Sequence, residues 1–211
     1  MCRTEVSTRT PGHSLSGRLR ASTAHLHARL DVLLGLPATV QDRQDYCRLL
    51  ERFFGLYEPL EQSFLRFDEW ERLGLALSSR NHSSNLSHDL LALGIDLCRI
   101  PRASQAMMPE LPTFPHALGA LYVLEGSALG GRIILHELEA RAAREIAGAT
   151  RFLEGRGLET GRMWSTFRTT LDDFGCAWPH LREDVLSGAE RVFRAILTWF
   201  TPFSHASVGA S

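Results

Sequence analysis

Tyr122-Val123-Leu124-Glu125-Gly126-Ser127-Ala128-Leu129-Gly130-Gly131 decides how the rest of this chain is read. It lies inside residues 115–146, a stretch whose apolar spacing otherwise predicts one long helix. Glycine in a helix interior costs about 1 kcal/mol against alanine, so Gly119, Gly126, Gly130 and Gly131 together give up roughly 3–4 kcal/mol. Spacings of three and four residues put Gly119, Tyr122, Gly126 and Gly130 on one helix face. That face is a strip of nearly bare backbone. Two readings follow from it. A neighbouring helix approaches closely there, as small residues permit, or something flat lies against the strip.

Outward toward the N-terminus, residues 15–34 form a second predicted helix. Leu15, Leu19, Leu26, Leu30 and Leu33 make its apolar stripe, and Gly35 and Pro37 stop it. Beside the stripe runs a polar line of Arg20, Thr23, His27 and Asp31. His27 and Asp31 are four apart, so their side chains can meet. An imidazole that gives its Nδ1 proton to a carboxylate keeps Nε2 free and oriented, the arrangement usual for a metal-ligating histidine. A His-Asp pair at this spacing is also common as a surface interaction of modest worth. His25, two residues away, points to nearly the opposite side. Arg20 lies ~10 Å along the axis from His27, at about 1.5 Å per residue. There it can hold an anionic edge of whatever His27 touches.

Taken together, Thr23-x-x-x-His27-x-x-x-Asp31, a basic residue seven before the histidine, and Tyr-Val-x-Glu-Gly-Ser-x-Leu-Gly-Gly on a later helix resemble heme oxygenase. The second motif is similar to the bacterial branch encoded beside phytochromes. The resemblance covers most of the chain in order. It implies an all-α, single-domain helical bundle with heme b, both substrate and cofactor, held between an N-terminal proximal helix and a glycine-rich distal helix. It implies His27 as axial iron ligand and Asp31 as its orienting partner. Glutamate is more frequent at that place, and the shorter aspartate predicts a bond through water. It implies that Gly126, Ser127 and Gly130 form the catalytic distal face where dioxygen binds. Arg20, Thr23, Tyr122, Gly131 and Arg168 would line the heme, with Arg20, Tyr122 and Arg168 at the propionates. The chain has no lysine, so every such cation is an arginine.

One departure from the family stands out. The mammalian enzymes carry an aspartate directly after the first distal glycine, where it organises water for proton delivery; here the residue is Ser127. The implied reaction is oxidative cleavage of heme by dioxygen and reductant to biliverdin, carbon monoxide and free iron. The electron donor would be a ferredoxin or a flavin-dependent reductase, and a bacterial phytochrome would receive the biliverdin. The alternative is a non-catalytic heme carrier or sensor of the same fold, which would more naturally supply a second axial side chain. His116 and His136 lie only at the ends of the glycine motif. A helical interaction protein without heme leaves the glycines and the His27–Asp31 pair unexplained.

Composition agrees with one globular domain. The chain has 211 residues, 44% of them hydrophobic, with a net charge of −1, so bulk charge gives no reason to seek nucleic acid or an anionic membrane. Cys2, Cys47, Cys98 and Cys176 are scattered without a Cys-x-x-Cys, which predicts reduced thiols and a cytoplasmic protein. No apolar run reads as long enough to cross a bilayer, and no Glu-x-x-His supports a di-iron bundle.

Other helices are expected from about residue 39 onward with a kink or interruption at Pro59, at 68–75, at 86–93, at 163–174 and at 181–200. Connectors are expected at 101–115 and 148–161. Val185, Ala189, Val192, Ile196 and Phe200 mark the buried face of the last helix. Tails are expected over 1–14 and 204–211, flanking a domain of 15–203.

Overall fold

The computed structural model describes residues 14–142 and 146–206. The expected tails lie outside these residues, apart from Ser14 and 204–206, which belong to the last helix. Among the described residues the chain is all helical: α1 (Leu15–Leu34), α2 (Arg43–Phe64), α3 (Glu69–Arg72), α4 (His82–Ala92), α5 (Phe114–Ala142), α6 (Arg151–Glu154), α7 (Glu159–Ala177) and α8 (Arg182–Ala206). α8 is the spine, on which both α1 and α5 lie.

Local signals set most boundaries. Ser14 caps α1 by accepting the Gly17 N–H at 3.1 Å. Gly35, at φ 57°, closes it by donating to Asp31 O. Leu15, Leu19 and Leu26 of the stripe are fully buried and Leu30 and Leu33 half-buried, each full burial contributing about 1.5–3 kcal/mol. All five marked positions of α8 are buried.

Three expectations are corrected. Asp42 caps α2, which therefore starts at Arg43, and Pro59 does not interrupt it. Proline deprives the Gly55 carbonyl of its helical donor, and the Ala103 N–H takes that place at 2.8 Å. A Cβ on Gly55 would sit 2.4 Å from Pro101 O, so the glycine admits the segment that repairs the proline. The connector at 148–161 contains α6, because the buried Asp89 carboxylate accepts the Arg151 and Phe152 N–H groups at 3.1 and 2.8 Å. Finally, Phe114–Ala140 is long and apolar enough to cross a membrane by length and composition. The apolar residues of its first half are used inside the protein: Ala117, Leu118, Ala120, Leu121 and Leu124 are at most 1% exposed, whereas Leu129 and Ile133 further on are exposed.

The helical glycines divide by what they touch. A Cβ on Gly119 would meet Val185 O at 1.9 Å, and one on Gly188 would meet His116 O at 2.0 Å. These two let α5 and α8 approach backbone to backbone. Gly119→Ala is therefore expected to destabilise the fold by about 1–3 kcal/mol through overpacking, measurable by denaturant unfolding. An unchanged midpoint would mean that α5 slides on α8 at no cost.

Candidate functional site

The i,i+4 pair on α1 is formed. His27 Nδ1 lies 2.9 Å from Asp31 Oδ2, a direct contact where a water bridge was expected. Both side chains are more than 60% exposed, so Nε2 is oriented by its partner and open on its other side. The ring edge rests on Phe193 of α8, with centroids 6.1 Å apart. His25 is exposed as well, and only His27 has the carboxylate.

α1 meets α5 through the polar line. Thr23 is buried and donates to Leu19 O at 2.7 Å, and it lies beside the Tyr122 hydroxyl. Burial raises the Tyr122 ionisation above its ordinary value, while Arg168, Thr23 and Arg20 pull it back. The cations expected from α1 and α7 thus converge on this tyrosine of α5. Both arginines are exposed and available to an anion. Trp164 of α7 packs on Tyr122 with ring centroids 5.4 Å apart and reaches Gly126.

The glycine motif shows two faces. A Cβ on Gly126 would make ordinary contact with Trp164 at 3.7 Å, and one on Gly130 would meet nothing within 4 Å. Neither glycine is required by packing. Gly131 is buried against α6, where a Cβ would stand 2.7 Å from Leu153 O. Gly131, expected among the heme contacts, therefore owes its lack of side chain to helix packing, because it is turned about 100° from Gly130. Ser127 is exposed; it donates to Leu124 O at 2.7 Å and accepts from the Tyr57 hydroxyl at 3.2 Å.

Sequence reading gave Glu125 no role. Only 2% exposed, it pairs with Arg80 at 2.6 Å and Arg156 at 3.2 Å, and His82 Nε2 lies 3.6 Å away. Burial pushes its carboxyl up, but the His82 contact and the charges of Arg80, His82 and Arg156 outweigh burial and leave it below the ordinary range. Arg80 also lies over the Phe167 ring at 5.3 Å. His82 and Arg156 line a polar cavity of about 220 Å³ together with Ser79 and Asn81. A carboxylate inside an apolar helix was the available signal, since such groups are almost never buried unpaired. The cluster ties α5, at the residue before Gly126, to the start of α4 and to the α6–α7 turn.

The donor set suits heme. It offers one oriented imidazole nitrogen, two arginines at a shared tyrosine, an aromatic wall, and glycines without steric neighbours. Among the described residues no three His, Cys, Asp or Glu side chains gather as a separate ion site.

Known proteins resemble this chain in sequence and in fold. The chain is 29% identical over 159 residues to heme oxygenase PigA of Pseudomonas aeruginosa, spanning 74% of this chain and 77% of that protein. Its fold is similar to that of the Neisseria meningitidis heme oxygenase, solved with NO and CO bound. The TM-score is 0.71 at 18% identity, over 94% of this chain and 96% of that one. The Leptospira interrogans heme oxygenase gives a TM-score of 0.64 at 20% identity, over 90% and 99%. Residues 13–202 match the family model described as heme oxygenase, and the chain belongs to the heme oxygenase family.

Proposed function

We propose that this oxidoreductase cleaves heme b with dioxygen and reductant to biliverdin, carbon monoxide and iron, and that His27 Nε2 is the axial ligand. The observation that carries the reading is the direct 2.9 Å His27–Asp31 contact, which leaves an oriented, open imidazole nitrogen on the helix that meets Tyr122. Bound through a neutral imidazole, heme supplies the iron that takes up dioxygen and the macrocycle that is oxidised. The chain supplies orientation. Arg20, Tyr122 and Arg168 hold the propionates. Thr23 supports Tyr122, and Trp164 covers one edge. Gly126 and Gly130 keep the distal side free of side chains, and Ser127 holds water there.

A carrier with two axial side chains is not favoured. His116 is buried and its Nδ1 lies 2.8 Å from Thr113 Oγ1. His136, six positions past Gly130, falls off the Gly126–Gly130 face. The electron donor is a ferredoxin or a flavin-dependent reductase, and the Glu125-Gly126-Ser127 likeness to enzymes encoded beside phytochromes supports a bacterial phytochrome as receiver of the product. The free thiols of Cys47, Cys98 and Cys176 support a reducing, cytoplasmic setting.

The test adds hemin to the purified protein and follows the absorption spectrum under reductant and air. Loss of the heme bands with appearance of biliverdin is expected; a spectrum that stays that of intact heme assigns the chain to the carrier reading. Gly130→Leu sharpens the test. Its side chain enters open space, so fold and heme uptake persist, while turnover falls by about 100-fold because the reacting groups are displaced. Full biliverdin yield from this variant would remove Gly130 from the site.

A further inference from the structure

We infer that Asp172 is a positioning residue that fixes the spacing of Arg20 and Arg168, and with it the in-plane seating of heme; this rests on the reading of those arginines as propionate cations given above. The backbone N–H groups in the first turn of a helix have no partner within it. In α1 the Ser16 N–H is taken by Asp172 Oδ1 at 2.8 Å, and the Ser16 hydroxyl donates to Oδ2 at 3.1 Å. Ser16 is 2% exposed. The first turn of α1 holds no acidic residue of its own. A carboxylate from 156 residues away therefore supplies the negative charge that a helix N-terminus favours. Beside this contact a Cβ on Gly175 would stand 2.8 Å from Leu15 Cβ, so α7 closes tightly on the same turn.

The register of the contact links it to the site. Ser16 lies four residues before Arg20 on α1, and Asp172 lies four residues after Arg168 on α7. Each pair shares a helix face, about 6 Å apart along its axis. The two helices are thus pinned one turn away from the two cations that converge on Tyr122. The axial end of the site is held differently: His27 rests on Phe193, and α1 lies along α8. A porphyrin core is close to four-fold symmetric, so ligation through His27 leaves it free to turn in its own plane. The edge that carries the propionates decides that turn, and the turn decides which meso carbon faces the open strip at Gly130. The Ser16–Asp172 pin therefore acts on the choice of meso carbon without touching heme or its ligand.

The test compares Asp172→Ala, Ser16→Ala and Asp172→Asn; the asparagine keeps one oxygen for the Ser16 N–H and offers an amide N–H to the Ser16 oxygen. Three readouts are taken: thermal midpoint, the proportions of biliverdin isomers, and the heme-methyl NMR resonances of the ferric cyanide complex. Those resonances spread according to how the macrocycle is turned over the His27 ring. Asp172→Ala is expected to lower the midpoint and to weaken heme binding about 3–10-fold, the scale of one lost hydrogen bond. It is expected to turn a product dominated by one isomer into a mixture and to add a second set of methyl resonances, while the imidazole-ligated absorption spectrum stays. Ser16→Ala, which keeps the 2.8 Å bond, falls between, and Asp172→Asn is expected to keep the wild-type product. In an Arg168→Ala background Asp172→Ala is expected to change the isomers no further, because residues acting through one contact are non-additive. A lowered midpoint with wild-type isomers and methyl pattern overturns the proposal and leaves Asp172 a helix cap only. An equal isomer shift with and without Arg168 overturns it as well. Should Asp172→Ala fail to fold, Ser16→Ala decides by the same readouts. A wild type that binds heme without producing biliverdin sinks the enzymatic reading alone, and the methyl pattern still decides the role of Asp172. A wild type that takes up no heme removes both.

Discussion

His27→Ala is expected to replace an imidazole-ligated heme spectrum with a weakly bound, water-ligated one and to remove most of the turnover. The argument is geometric. His27 is the one residue of α1 that combines an open ring nitrogen with a carboxylate at 2.9 Å on the other. The fold is unaffected, since the side chain is 62% exposed and substitutions at such places change stability by about 0.5 kcal/mol or less. Added imidazole enters the space left by the ring and restores part of both spectrum and activity. Asp31→Ala lies between, at about 10–100-fold in affinity or activity, the usual effect of losing a ligand's orienting partner. His25→Ala does little. Loss of ligation in His25→Ala with retention in His27→Ala would show that α1 presents its other face to heme, and the roles of Arg20 and Asp31 would fall with that of His27.

Glu125→Gln is expected to be the most destabilising conservative change in the protein, by about 3–5 kcal/mol, because it leaves buried cations without their counter-charge. Arg80 is 6% exposed and Arg156 is partly covered, so water replaces little of what the carboxylate supplies. The double variant Glu125→Leu/Arg80→Met should recover much of the loss, since an apolar pair of similar volume has no desolvation penalty. Denaturant unfolding of the three proteins checks this, and a double variant as weak as the single one would place the energy elsewhere. The pH dependence has a definite sign. The folded carboxyl lies below its ordinary 4.5, so its contribution is complete above that value and is lost as pH falls through the lower folded one. Wild-type stability should decline there, and Glu125→Gln should flatten the decline.

The position of Glu125 links stability to the site. It precedes Gly126, and its partners come from the turn before α4 and the turn before α7. The rotation of α5 that leaves Gly126 and Gly130 open is thus held from behind by a charge cluster and from the side by the Gly119–Gly188 approach to α8.

What the sequence determined by itself is what a helix can say within four residues. The His27–Asp31 pair, the Gly35 end of α1, the buried stripes of α1 and α8 and the all-α class depend on periodicity and capping, which act within a turn or two of chain. The glycine motif was equally visible, but the four glycines of α5 are alike in sequence and differ only in their neighbours. Tertiary structure alone decided that Gly119 serves α8, that Gly131 serves α6, and that Gly126 and Gly130 serve neither. The same holds for the continuation of α2 through Pro59, which needs the Ala103 N–H, and for α6, which needs Asp89 from 62 residues away. It holds again for Glu125 with Arg80, 45 residues apart, and Ser127 with Tyr57, 70 apart. Each of these satisfies a buried or unpaired polar group with a partner that only chain folding brings near, and the spacing of residues along the sequence carries no record of such a partner.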